Sequence, residues 1–226
     1  MHRSRLDFEV MFPAVNLAER LTHWLWDRMQ IYGAIGPTTR RGRGFGRFGS
    51  GSIICFPQTT IFNEQYIHIG NSTMIGSHIA LSAGMMPGQK CLTDPVVRIG
   101  DRCLIGRGSG IVGHFSIDIG NDVWTGHYVY ITDQNHGYEN VDVPISQQTQ
   151  IERAVSIGDG SWLGTGTVVL PGARIGKHVA VGANSVVTGN LPDFCVAVGA
   201  PARVIKQYAE DSGWVASNYF EGQKSD

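Results

Sequence analysis

The stretch ITDQNHGYENVDVP, residues 131–144, sets one imidazole, His136, among polar side chains in a chain otherwise dominated by Ile-Gly and Val-Gly steps. A histidine titrates near neutral pH and can take the proton of an attacking hydroxyl, which makes His136 a candidate general base. Its bland role is to cap the loop that follows by hydrogen bonding. Asp133, Glu139 and Asp142 are the carboxylates close enough in sequence to orient it, and the sequence does not choose between them. Among the remaining histidines, His78, His114 and His127 are the ones a fold could gather beside His136, and His114 stands next in line as a base. His2, His23, His68 and His178 read as surface or packing residues. Cys55, Cys91, Cys103 and Cys195 are far apart and lack a C-x-x-C spacing, which argues against a disulfide scaffold and for a reducing compartment.

What positions His136 is a rhythm. An aliphatic residue returns every six positions, usually followed by glycine, as in IGNSTM IGSHIA and IGDGSW LGTGTV. Fifteen such hexads can be laid down; the first position is Ile, Leu or Val in fourteen, the exception being Thr125. A period of six fits neither a helix nor a simple alternating strand and reads as short strands joined by corners. Glycine fills the second position in ten hexads, and the exceptions Ser82, Val112, Thr132, Leu170 and Thr188 each fall in a third hexad, so the true unit is 18 residues. Every interruption, at 87–98, 117–118 and 137–156, also follows a third hexad. The chain is therefore a three-sided solenoid of five or more coils about 4.8 Å apart, and all its excursions leave from one edge. His136 closes a third hexad, where the longest excursion begins.

With 226 residues, 42% hydrophobic composition and a formal charge of −1, the chain can bury a core and has no global bias toward nucleic acid. No window reaches the roughly 20 apolar residues of a membrane span and the N-terminus carries no signal-peptide pattern, so a cytoplasmic protein is expected. Residues 1–47 read as a helical segment and a Gly/Arg-rich linker, 48–206 as the solenoid with an irregular first coil, and 207–226 as a C-terminal helix or tail. Asn16 and Glu19 form a capping-box pattern, and Leu17, Leu21, Trp24, Leu25 and Met29 make one apolar stripe. Packing on the solenoid or on a partner subunit is the first role for this helix; peripheral membrane contact anchored by Trp24 and Trp26 is the second. The arginines of RRGRGFGRFGSGS read as a solvated linker rather than an RNA-binding patch.

The hexads resemble those of the hexapeptide-repeat acyltransferases, a resemblance that covers roughly residues 50–206 and implies an all-β, left-handed parallel β-helix. Within that group, DQNHGYENVDVPISQQ resembles the acceptor loop of sugar O-acetyltransferases, which implies His136 as the base and Asp133, Asn135, Tyr138 and His114 about the acceptor. The segment from Trp162 to Lys206 is similar to the acetyl-CoA half of galactoside and maltose acetyltransferases, with a W-L-G step, a G-A-N-S step whose alanine stands 21 residues after the tryptophan, and a closing G-A-P-A-R-V-I-K. The resemblance implies that Trp162 packs beside the pantetheine arm, that Gly164, Thr165, Gly182, Ala183 and Thr188 line the cofactor channel with the amides of Thr165 and Ala183, and that Arg203 and Lys206 meet the phosphates. Physically, backbone amides suit an extended pantetheine and fixed cations suit phosphate. Where the family often has lysine, this chain has Gly189.

The resemblance further implies acetyl-CoA as cosubstrate with no permanently bound cofactor, no metal, a homotrimer and no nucleic-acid partner. Two other classes share the scaffold, a zinc enzyme like the carbonic anhydrases of this fold and a noncatalytic structural trimer. The zinc ligands there resemble a histidine followed five residues later by another; five residues after His114 stands Ile119.

Overall fold

The computed structural model describes residues 16–217. From Arg47 onward the chain visits three parallel sheets in strict rotation, one short strand per face in each turn. Ile67–Ile69, Met74–Ile75 and Ala80–Ala83 make one such turn, and Ile117–Ile119, Trp124–Thr125 and Tyr130–Thr132 another. Seven strands share the first face and six the third. The architecture is the left-handed parallel β-helix expected from the hexads.

All fifteen first-position residues point inward and are buried, Thr125 among them. Successive coils place like on like: Ile69 pairs with Ile99, Ile99 with Ile119, Ile119 with Ile157 and Ile157 with Ile175. The stacked column excludes water along the whole axis, and burial of each aliphatic side chain favours folding by about 1.5–3 kcal/mol. Interior hydroxyls tie the coils as well. Ser52 Oγ donates to the Gly70 carbonyl at 2.6 Å and accepts from the Thr73 amide at 2.9 Å, and Thr73 repeats the pattern one coil on.

The second-position glycines exist because coils approach closely there. A Cβ on Gly126 would sit 2.5 Å from the Thr165 amide nitrogen, and one on Gly164 2.5 Å from that of Ala183. Left-handed backbone belongs instead to the fourth position, where His78, Tyr128 and Asn184 have φ of 59°, 57° and 56°. The first of the three edges, between the first and second faces, is closed by an Asx ladder. The amides of Ser50, Asn71, Asp101, Asn121 and Lys177 donate to side-chain oxygens of Asn71, Asp101, Asn121, Asp159 and Asp193 at 2.7–3.1 Å. The Asn71 amide holds the Asp101 carboxyl below the usual carboxylate range.

Three expectations need correction. The first coil is regular, with strands Arg47–Phe48, Ile53–Ile54 and Thr60–Phe62 in parallel register with the next coil. Residues 34–46 are not a solvated linker: Ile35 and Phe45 are buried and Arg41 donates to Glu64 and to the Ile61 carbonyl, so the segment closes the open end of the core. The described residues after Lys206, 207–217, do not form a helix. Arg203–Ala209 and Gly213–Ala216 form an antiparallel hairpin that extends the second face beyond Cys195–Val198 and covers the other end; residues 218–226 lie outside the described ones. The expected helix is present at Leu17–Gly33, capped by Asn16, whose side chain accepts from the Glu19 amide at 3.0 Å, and none of its residues is buried.

Replacing Gly126 by alanine is expected to destabilise the fold by about 1–3 kcal/mol, the usual cost of overpacking. Gly189→Ala, where an added Cβ meets nothing within 4 Å, should be neutral. Denaturant midpoints of the two variants check the pair; equal shifts would remove close approach as the reason for the second-position glycine.

Candidate active site

His136 lies where the third face ends, immediately after the strand Gln134–Asn135, which pairs antiparallel with Ile151–Glu152 as the excursion returns. This hairpin is the stem of the long loop. Beyond it Gln148 acts as a staple, donating to the carbonyls of Asn140 and Val143 at 2.8 Å each and accepting from the Asn140 amide at 3.1 Å. The His136 side chain is exposed, and no hydrogen bond reaches its ring among the described residues. Asn135 and Tyr138 are exposed beside it. Glu139 instead accepts from the Tyr138 amide, and the amide of Asp142 donates to Asn140, so neither carboxylate is bonded to the histidine.

The structure gives Asp133 a different task from acceptor binding or orientation of His136. Its side chain is fully buried, with Oδ1 accepting from the His114 amide at 2.8 Å and Oδ2 from the amides of Phe115 and Ser116 at 2.8 and 2.6 Å. Three charge-assisted bonds offset the cost of burying the carboxylate and fix the point from which the loop departs. The His114 side chain is only 7% exposed, and its Nδ1 stands 3.6 Å from Glu152 Oε1 in the returning strand. The pair therefore braces the hairpin stem. Nothing in the hexad pattern pointed to Glu152.

The other half of the candidate site lies on the second edge, between the second and third faces. Trp162 projects outward, half exposed, between Trp124 and Ala180 on the neighbouring strands. Three residues on, the chain turns through Thr165, and one coil further through Ala183 at the equivalent place. Unlike the amides of Asn71, Asp101, Asn121 and Lys177 on the first edge, those of Thr165 and Ala183 donate to no acceptor among the described residues, a condition the first edge shows at Asp159. The difference was visible in the sequence: the third hexad position is Asn or Asp in four of five hexads on the first edge, Lys177 being the exception, but Ser, Arg, His, Thr and Ala on the second. Arg203 and Lys206 are exposed on the strand Arg203–Ala209, opposite Val198 and Val196 and three strands beyond Trp162. Gly164 and Gly182 provide the close coil approach beside this groove, whereas Thr188 sits past the third face and away from it. His136 and these groups are thus not brought together within one chain. Among the described residues no three His, Cys, Asp or Glu side chains gather as around a metal ion, and no helix is long and apolar enough to cross a membrane.

Comparison with known proteins gives the same repeats. The family described as bacterial transferase hexapeptide (six repeats) matches residues 154–189, and the hexapeptide repeat of succinyl-transferase matches 96–132. A probable acetyltransferase of Mycobacterium tuberculosis is 33% identical over 153 residues, 68% of this chain and 45% of that protein. The putative lipopolysaccharide biosynthesis O-acetyl transferase WbbJ of Escherichia coli is 41% identical over 104 residues, 43% of this chain and 53% of that protein. The galactoside O-acetyltransferase of Lactococcus lactis is 34% identical over 126 residues, 53% of this chain and 59% of that protein. The chain thus spans about half the length of the curated relatives it matches. Among solved structures, the N-acyltransferase AntD of Bacillus cereus, in complex with dTDP and coenzyme A, superposes with a TM-score of 0.62 at 21% identity, over 82% of this chain and 95% of that one, and so shares the fold.

No thiol is set up as a nucleophile. Burial pushes up the thiols of Cys55, Cys91 and Cys103, and burial followed by the Asp193 charge pushes Cys195 up to about 11. Since the thiolate is the reactive form, Cys103 and Cys195, both buried, should resist iodoacetamide at pH 7.5 in the native protein and react on unfolding. Mass spectrometry of the alkylated protein checks this; rapid native labelling of Cys195 would overturn it.

Proposed function

We propose that this chain, a member of the hexapeptide-repeat acetyltransferase superfamily, transfers the acetyl group of acetyl-CoA to a hydroxyl of a sugar or related acceptor. The observation that carries the reading is the pair of unbonded amides at Thr165 and Ala183, stacked on successive coils beside the Trp162 ring, where the first edge has four of its five such amides capped, those of Asn71, Asp101, Asn121 and Lys177. Extended amide donors one coil apart suit the carbonyls of a pantetheine arm, and Arg203 and Lys206 stand at the far end of the groove for the phosphates. The names of WbbJ and the galactoside enzyme support a hydroxyl acceptor.

In the proposed reaction His136 removes the proton from the acceptor hydroxyl while the oxygen attacks the thioester carbonyl. The tetrahedral oxyanion takes a hydrogen bond from the Thr165 amide; collapse breaks the C–S bond, and the CoA sulfur recovers the proton from the imidazolium. Because His136 belongs to the third edge and Thr165 to the second, one face width separates them. Six residues at about 3.3 Å each span at most about 20 Å. Such groups meet when the third edge of one copy lies against the second edge of the next, and a three-sided prism suits a homotrimer, here placed in the cytoplasm.

The test is CoA thiol release with acetyl-CoA against a panel of sugars and aminosugars. His136→Ala is expected to lower turnover by about 10²–10⁴ while acetyl-CoA affinity and fold persist, because the side chain is exposed and carries no packing. Parental turnover in that variant would move the base elsewhere, and thiol release with no hydroxylated acceptor would remove the reading. Arg203→Ala should weaken CoA about 10-fold or more through the lost phosphate contact, with light scattering of the parent giving three times the 24.6 kDa chain mass. Unchanged CoA affinity takes Arg203 out of the groove.

A further inference from the structure

The unbonded amides do not stop at Thr165. On the same edge, the amides of Ser77, Arg107 and His127 also donate to no acceptor among the described residues. The register Met74 to Leu104 to Trp124 to Trp162 puts these residues on consecutive coils below the donor groove. All three line one cavity of about 370 Å³, which the N-terminal helix closes from the outside with Trp26 and Gln30, and which Phe56 and Met74 make partly apolar.

The charge in this cavity has one sign. Arg107, His78 and His127 are its ionisable groups apart from the raised thiol of Cys55, and no aspartate or glutamate lines it. Arg107 makes no ion pair among the described residues, whereas Arg98 and Arg102, on the first face and edge of the same coil, are paired with Asp118 and Asp122. A chain of net charge −1 has therefore left a guanidinium, two imidazoles and a row of N–H dipoles unopposed in one concavity. A fixed guanidinium fork together with main-chain N–H groups is the donor set that binds phosphate oxygens, and three donors spread over two coil spacings, about 10 Å, exceed the span of a small carboxylate.

We propose that this cavity binds a phosphate-bearing ligand, with the phosphate on Arg107 and the amides of Ser77, Arg107 and His127 and an apolar or planar portion against Trp26 and Phe56. The site itself stands on these residues alone. That its ligand is the acceptor rests on the proposed acetyl transfer: the donor groove occupies the next two coils of the same edge, so an anionic acceptor held here reaches the Thr165 amide within about two coil spacings. The helix Leu17–Gly33 then has a use that its lack of buried residues otherwise leaves open, as the outer wall of a binding site.

Equilibrium dialysis of the full chain with pyrophosphate, with UDP and with uridine tests the site without turnover. Saturable binding of pyrophosphate and UDP that weakens as salt rises is expected, with uridine at least about 10-fold weaker. Stronger binding of UDP than of pyrophosphate assigns a planar group to the apolar wall. Arg107→Ala should weaken both anions by about 10-fold or more, and saturating CoA should leave UDP bound, since the donor groove is distinct. No binding of either anion at millimolar concentration, unchanged binding in Arg107→Ala, or displacement of UDP by CoA would each overturn the proposal. Failure of acetyl transfer with intact anion binding would fall on the acetyl-transfer reading alone. If UDP binds and transfer proceeds only to uncharged sugars, with a KM that Arg107→Ala leaves unmoved, the site is real and is not the acceptor's.

Discussion

Everything in this molecule depends on the ladder between coils. Each corner amide that follows a strand donates to the coil beside it, as Gly126 does to the Leu163 carbonyl at 2.7 Å, Gly164 to Val181 at 2.8 Å and Gly182 to Ala197 at 2.8 Å. After the first two faces the contact is made with the Cβ missing at the second position, while after the third Leu170 makes it to the Val187 carbonyl at 3.0 Å with a side chain in place; the repeated aliphatic at the first position is common to all three. Once the spacing is fixed, residues about 20 apart become neighbours at a constant distance, and a property repeated in sequence becomes a line in space. A hydrogen-bonding choice made at one hexad position is thereby converted into a whole edge of one character.

The two edges flanking the second face differ for that reason. At the first, Asn or Asp at the third hexad position supplies an oxygen to the amide of the coil below. At the second, residues without a suitably placed acceptor leave the amides open. Both edges are equally regular as backbone, so stability does not require the difference. Among the described residues the first edge keeps one open amide, that of Asp159, and the second has a row of five, so a single side-chain choice sets the hydrogen-bonding character of each edge.

The period, its phase and the edge from which excursions leave were legible in the sequence because each reflects stacking between nearest coils, which repeats the same demand every 18 residues. The ends of the solenoid were not. Arg203–Ala209 has no hexad period, and its strand character comes from pairing with Cys195–Val198 rather than from local propensity. Ile35 and Phe45 look like isolated apolar residues in an arginine-rich segment until the open end of the core gives them something to cover. The site shows the same division. His136 and the second-edge groove were proposed from spacing and resemblance, while the anchoring of Asp133 was not legible because its three donors lie 17 to 19 residues earlier and meet it only through coil stacking. Glu152 escaped notice because the returning strand of a long loop has no register that a repeat can supply.

The anchoring of Asp133 clarifies how a loop can carry chemistry on so rigid a frame. A buried carboxylate bound to three consecutive amides cannot shift without leaving several donors unpaired, so it anchors the coil to its neighbour at the residue where the excursion begins. Three residues later His136 is exposed and makes no hydrogen bond among the described residues. The frame therefore defines where the imidazole starts from but not what it touches. A repeat that satisfies each coil with its neighbours leaves unpaired groups at its edges, an exposed side chain on one and open backbone donors on another. The wide separation of His136 from the Thr165 amide is what that constraint looks like in a single copy.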